Sequence, residues 1–258
     1  DDIDVLVSSC GGVAILYVNN GPAPPTATEL GFGCGDTALL ADGDGDGDLD
    51  AFVGAYFENR YFENDGSGVF TEDPSVFPDH FDTTEAVLAD DFDGDGDVDV
   101  IFGNRTGGAN RILFGGPSGA FLDGTVTLPA AFGSPEGGLL ADLDCDSDLD
   151  CVIGHYAQED RLLLNDGTGM FVDVSPPGFG SATTTNTIVA GDVDDDGDND
   201  LFFGTGISQS TAQNRLLLND GSATFTDVTG SNLPAVTTPT YSAAFSDLDG
   251  DGDLDLFV

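Results

Sequence analysis

The sequence predicts an all-β fold, a propeller-like array of four-stranded blades, on three observations. An acidic nine-residue segment recurs about every 50 residues, a second marker keeps the same period, and short apolar runs bounded by glycine and aspartate fill the space between them. With 258 residues, 40% of them apolar, the chain can bury a substantial core, so global disorder is excluded.

The acidic segments come first because they set the beat. They carry Asp42, Asp44, Asp46, Asp48 and Asp50; Asp91, Asp93, Asp95, Asp97 and Asp99; Asp142, Asp144, Asp146, Asp148 and Asp150; Asp192, Asp194, Asp196, Asp198 and Asp200; and Asp247, Asp249, Asp251, Asp253 and Asp255. Asp2 and Asp4 end a truncated copy at the start. From one final Asp to the next the intervals are 46, 49, 51, 50 and 55 residues. The expected organisation is a single repeat domain over residues 1–258, with repeats of about 1–50, 51–99, 100–150, 151–200 and 201–255 and truncated copies at both ends. Asp1 enters at position 6 of one copy and Val258 stands at position 12 of another, which reads as a window on a longer repeat protein.

After each acidic segment comes a short apolar run ending in glycine: Ala51 to Gly54, Val100 to Gly103, Cys151 to Gly154 and Leu201 to Gly204. Such runs read as buried strands, too short for helices. The second marker follows, with Arg60, Arg111, Arg161 and Arg215 opening a third strand and Phe70, Phe121, Phe171 and Phe225 marking a fourth. Asn-Asp-Gly segments at 64–66, 165–167 and 219–221 supply the positive-φ residues of a tight hairpin between them. Runs such as 85–89 and 186–190 lead into the next acidic segment and complete four strands per period. Ile15 stands where the first repeat should have its Arg, and Pro22, Pro24 and Pro25 are expected to disturb the strand after it.

The acidic segments read as calcium loops. Ca²⁺ takes six to eight oxygen ligands, and alternate residues of a tight loop can aim carboxylates at one point where glycines let the backbone curl. Side-chain ligands are expected at positions 1, 3, 5 and 9 and a backbone carbonyl at position 7, for about five ions per chain. Position 8, Leu49, Val98, Leu149 and Leu254, is expected to pin the loop to the core, with Asn199 breaking that pattern in the fourth copy. An EF-hand would need Glu at position 12, which is Val53, Phe102, Ile153, Phe203 or Val258 here. Solvated acidic runs or salt-adapted surface charge are the bland alternatives. Against them, 26 of the 48 acids fall in the five loops. Crowding five carboxylates into nine residues is self-repulsive without a cation, so folding is expected to depend on calcium.

These residues resemble the FG-GAP and VCBS repeats, the calcium-loop propeller repeats of integrin α-subunit heads and of many bacterial surface proteins. The resemblance rests on the Asp-x-Asp-x-Asp-Gly-Asp-x-Asp loops, on Phe102-Gly103 and Phe203-Gly204, and on the Arg-Leu-Leu-Leu-Asn-Asp-Gly segments from Arg161 and Arg215. It implies a seven-bladed propeller with calcium loops on one face, in an extracellular or cell-surface setting. Five periods are fewer than seven blades need.

Five arginines, no lysine and a net charge of −43 exclude charge-driven binding to nucleic acid or an anionic membrane surface, and no apolar stretch is long enough for membrane insertion as a helix. The recurring Arg is expected to be a structural ion pair or carbonyl clamp between blades. Cys145 with Cys151, and Cys10 with Cys34, are candidate disulfides, with four buried free thiols as the alternative. His80 and His155 have no partner histidine, and Asn104-Arg105-Thr106 is the one N-glycosylation sequon. The leading functional expectation is a non-catalytic, calcium-binding extracellular scaffold for adhesion, surface coating or fibre formation. Its partners would be neighbouring copies of itself, other surface proteins or glycans. A ligand-recognition head using Tyr56, Phe57 and Tyr156, or a polysaccharide-acting enzyme on a propeller, are the alternatives.

Overall fold

A computed structural model describes residues 4–7, 13–32, 35–77, 83–105, 109–117, 119–129, 133–180, 183–206, 212–235 and 238–258. They fall into two compact units, Asp1–Leu128 and Pro129–Val258. Both are all-β. The first holds a three-stranded sheet, β1 (Val5–Val7), β2 (Val13–Asn20) and β3 (Ala23–Phe32), followed by two four-stranded sheets. These are β4 (Gly35–Ala41), β5 (Asp50–Ala55), β6 (Arg60–Asn64) and β7 (Phe70–Glu72), then β8 (Thr84–Asp90), β9 (Asp99–Asn104), β10 (Arg111–Phe114) and β11 (Leu122–Asp123).

The second unit repeats the design. It contains β12 (Pro135–Ala141), β13 (Asp150–His155), β14 (Arg161–Leu164) and β15 (Val172–Asp173), then β16 (Thr185–Gly191), β17 (Asp200–Thr205), β18 (Arg215–Asn219) and β19 (Phe225–Asp227), and a two-stranded sheet, β20 (Ala244–Ser246) with β21 (Asp255–Phe257). Every four-stranded sheet is an antiparallel meander in chain order, the topology of a propeller blade.

Why the second strand of each blade reads as an unbroken apolar run follows from where it lies. All six residues of β5, β9, β13 and β17 are buried, and β5 shows why, with β1–β3 over one face and β8–β11 over the other. Alternate residues then serve different cores: Ala51 and Val53 pack with Ala14, Leu16 and Leu30 of the preceding sheet, whereas Phe52 packs with Val87, Val100 and Phe102 of the following one. In the second unit Val152 and Leu162 meet Ile188, Leu201, Phe203 and Leu217 in the same way. Phe52, Tyr61, Phe77, Phe102 and Phe121 fill the gap between β4–β7 and β8–β11 with edge-to-face rings, the arrangement that the ring quadrupole favours.

The fourth strands are short and expose their side chains, with acids such as Glu72, Asp123, Asp173 and Asp227, which protects an unpaired edge from further pairing. In the first repeat the prolines do not abolish the strand. Pro24 and Pro25 lie within β3, an edge strand, where the register shifts between Val18 and Asn20 of β2, so neither proline has to donate to the ladder at a paired position. Among the described residues no helix is long and apolar enough to cross a membrane.

Candidate metal centres

Each acidic segment is the connection from the first to the second strand of its blade, closed by a pair such as Ala41 opposite Asp50. Its curl is written in backbone-to-carboxylate hydrogen bonds. Asp42 accepts from Gly45 N (2.9 Å) and Gly47 N (3.0 Å), and Asp91 and Asp247 accept in the same way from Gly94 and Gly96 and from Gly250 and Gly252. Further round, Asp46, Asp95, Asp146, Asp196 and Asp251 each accept from the N–H two residues on. These are successive Asx turns, and they need left-handed backbone at positions 4 and 6. Glycine fills most of those positions, but Cys145 (φ 62), Ser147 (φ 78) and Asp195 (φ 60) adopt the same conformation with a side chain attached.

With one oxygen of each acid holding the backbone, the others converge. Carboxylate oxygens lie within 4.8 Å of one another in Asp42, Asp44 and Asp50, in Asp91, Asp93 and Asp99, and in Asp192, Asp194 and Asp200. In the third and fifth loops the convergent trio is Asp142, Asp144 and Asp146, and Asp247, Asp249 and Asp251. Asp46, Asp95 and Asp196 lie outside their loops' trios, as do Asp150 and Asp255. Asp48, Asp97, Asp148, Asp198 and Asp253, at position 7, also stand apart. Three of these, Asp48, Asp148 and Asp198, lie over Gly66, Gly167 and Gly221 of the Asn-Asp-Gly hairpins, leaving no room for a Cβ there.

Position 9 has a second role that the sequence did not reveal. Asp50, Asp99, Asp150 and Asp200 are fully buried. Each accepts one N–H from position 2 of its own loop (Gly43, Phe92, Leu143, Val193) and one from the end of the third strand (Asn64, Gly115, Asn165, Asn219), at 2.7–3.0 Å. Tyr61 donates its hydroxyl to Asp50 as well, and burial beside that carboxylate pushes the phenol's pKa up. The loop is therefore anchored by residues 2 and 9. Phe92 and Leu143 are buried; of the anchors expected at position 8, Val98 packs against the core whereas Leu49 is 53% exposed. Position 12 lies inside the second strand's core at Val53, Phe102, Ile153 and Phe203, which removes any EF-hand geometry.

Electrostatics mark the same points. Burial, with the neighbouring loop acids, raises the pKa of Asp99 to about 7 and of Asp150 to about 6, and it pushes Asp44, Asp93, Asp144 and Asp200 upward. Among the described residues no basic side chain forms an ion pair with these loop acids. Arg60, Arg111, Arg161 and Arg215 pair with Glu72, Asp123, Asp173 and Asp227 across the third and fourth strands of one blade, and Arg105 pairs with Glu85. The expected clamp between blades is thus an ion pair within each blade, although Arg215 also donates to the carbonyl of Gly178 (2.9 Å) in the segment leading to its own blade. Oδ1 of Asp142 and Oδ1 of Asp144 are buried without a hydrogen-bond partner. An all-oxygen, anionic trio with orphaned acceptors fits a hard divalent cation.

Other expectations resolve differently. Cys145 is an exposed free thiol that donates to Asp198 (3.3 Å), and Cys151 is a buried one, so they form no disulfide; Cys10, Cys34 and His80 lie outside the described residues. His155 is buried at the end of β13, where desolvation lowers its pKa to about 4. Asn104 is fully buried, accepts from Thr84 and donates to Ala109, so the sequon is closed to glycosylation in the folded chain. The residue before each Arg has a role that sequence reasoning missed: Asn59, Asn110, Asp160 and Asn214 accept the N–H of Ala55, Asn104, His155 and Thr205 and tie off the second strand.

Comparison with known proteins agrees with this architecture. Cartilage acidic protein 1 of Mus musculus is 27% identical over 179 residues, which cover 61% of this chain and 26% of that protein, and the Homo sapiens protein is 27% identical over 179 residues. The chain thus spans about a quarter of the length of these relatives. A solved structure of an Agrocybe aegerita lectin that recognises non-reducing terminal N-acetylglucosamine superposes with a TM-score of 0.60 at 18% identity, covering 98% of this chain and 70% of the lectin. Residues 42–102, 91–153, 142–203 and 192–258 each match the FG-GAP-like repeat, overlapping so that every match runs from one acidic loop through the next, and the chain belongs to that family.

Proposed function

We propose that this chain is a non-catalytic, calcium-rigidified repeat module that works outside the cell as a scaffold in adhesion, surface coating or fibre formation. The observation that carries the reading is the recurrence of a convergent oxygen trio, always including positions 1 and 3, in all five loops, each joining two paired strands. Ca²⁺ would be held by the carboxylates at positions 1 and 3 with those at 5 or 9. It would supply positive charge and no reaction chemistry: neutralised loops, fixed first and second strands, and a stiff series of blades. Among the described residues every group of three or more convergent acids belongs to a repeated loop. Relatives named for cartilage support a setting outside the cell.

A second reading, a glycan-recognising head, is favoured by one observation. Phe57 is 69% exposed and stacks edge to face with Tyr56, and Tyr156 occupies the equivalent place in its blade. Exposed aromatic faces are what sugar rings pack on, and the lectin shares the fold.

Calorimetric calcium titration of chelator-stripped protein, followed by circular dichroism and light scattering, tests both. About five ions per chain and a gain of β signal are expected, with growth in particle size for the scaffold and a constant size for a monomeric head. Stripped protein that is already folded and binds no calcium at millimolar concentration would overturn the metal reading.

A further inference from the structure

The residues that break the repeat pattern in the third and fourth loops converge on one junction. Cys145 replaces a position-4 glycine and donates to Asp198 of the next loop (3.3 Å). Asn199 replaces the aliphatic residue at position 8 and donates through Nδ2 to the carbonyl of Asp142 (3.4 Å), in the preceding loop. Between them runs an unbroken chain of hydrogen bonds. Asn219 N donates to Asp200 (2.8 Å), Asn219 Nδ2 donates to the carbonyl of Leu143 (2.9 Å), and Leu143 N donates to Asp150 (2.9 Å). Ala223 N donates to that same carbonyl (2.9 Å). The two buried position-9 carboxylates are therefore joined through two residues, Asn219 and Leu143.

The first and second loops lack the polar side chains of this wiring. Gly115 occupies the place of Asn219 and has no side chain, Val98 replaces Asn199, and Gly45 replaces Cys145. One protein thus holds a wired pair of loops and an unwired pair.

We propose that the third and fourth loops, residues 142–150 and 192–200, bind their cations cooperatively through Asn219 and Asn199, while the first and second loops bind independently. The inference rests on the calcium reading above. An ion in the fourth loop fixes Asp200 and Asp192, which holds Asn219 and Asn199 in place. Those amides then hold the Asp142 and Leu143 carbonyls, so the third loop meets its ion with less ordering left to do. Coupling of this kind is reciprocal, so an ion in the third loop tightens the fourth by the same factor.

The test is calcium titration of the full chain followed by amide hydrogen exchange, resolved by mass spectrometry into separate peptides for each loop. In the parent protein the third and fourth loops gain protection together over a steep calcium range. Disabling the fourth loop with Asp192→Asn and Asp194→Asn is expected to raise the midpoint of the third on the order of five- to tenfold. Disabling the second loop with Asp91→Asn and Asp93→Asn leaves the midpoint of the first within about twofold, since Gly45, Val98 and Gly115 carry none of the polar side chains of that wiring. A triple variant, Cys145→Gly, Asn199→Leu and Asn219→Gly, installs residues found at the equivalent places of other repeats and separates the two midpoints. Protection of strand peptides 150–155 and 200–205 confirms that each variant is folded. A third-loop midpoint that stays within twofold when the fourth loop is disabled overturns the coupling and leaves calcium binding intact. If no loop gains protection with calcium, the metal reading falls and the coupling with it.

Discussion

Asp144→Asn should change the stability of this protein in opposite directions with and without calcium. The side chain keeps its shape and loses its charge. Asp142, Asp144 and Asp146 present oxygens within 4.8 Å of one another. At that spacing a pair of unit charges repels by about 0.9 kcal/mol in water and about 3.5 kcal/mol at an effective dielectric of 20. Asp144 takes part in two such pairs and is half-buried, so after solvent screening the relief comes to about 1–3 kcal/mol. In chelator the variant is expected to unfold at higher denaturant by that amount. In calcium the balance reverses, because a charged ligand has been lost, and each tenfold loss of affinity at a saturated site removes about 1.4 kcal/mol. Urea unfolding curves of parent and variant, run in chelator and in millimolar calcium, supply the four numbers needed. A shift of the same sign in both conditions would refute the reasoning, since the trio would then be neither repulsive when empty nor ligating when filled.

Other expectations follow from the same geometry. The raised carboxyls of Asp99 (about 7) and Asp150 (about 6) lie above their unfolded values, so these two groups give the calcium-free fold stability that is lost as pH rises from about 4 through about 7. Thermal melts in chelator at pH 5 and pH 8 check this, and calcium affinity should rise over the same interval as the protons leave. Ser147→Gly relieves a left-handed serine (φ 78) and should stabilise by about 1 kcal/mol, with the larger unfolded entropy of glycine offsetting part of the strain; denaturant midpoints in calcium measure it. Arg111→Ala breaks a 2.9 Å pair with Asp123 from a side chain that is 10% exposed and should cost about 1.5–3 kcal/mol, whereas Arg60→Ala, with Glu72 at 3.6 Å, should cost less than about 1 kcal/mol in the same assay.

The period and the bounded apolar runs made the blades legible, because a strand buried on both faces must be apolar throughout, whatever its neighbours. The loops were legible for a related reason: alternate acids separated by glycine describe a curl. Direction was not legible. Nothing in the spacing of Asp42, Asp44, Asp46, Asp48 and Asp50 says that Asp48 turns toward the hairpin at Gly66 while Asp50 turns inward to close two hydrogen bonds. The anchor was only partly legible for the same reason. Position 8 is aliphatic in four copies and looks like a core residue, yet it is position 2 that feeds its N–H to the buried Asp, and that position varies among Gly43, Phe92, Leu143 and Val193 because only its backbone is required. The Arg pairs carried a signal that could have found them, since each acid lies 12 residues beyond its Arg, at Glu72, Asp123, Asp173 and Asp227. A repeat makes such constancy visible only when both partners recur. Asn199 and Cys145 do not recur, and it was by departing from the pattern that they marked a junction where the third and fourth loops are joined by side chains.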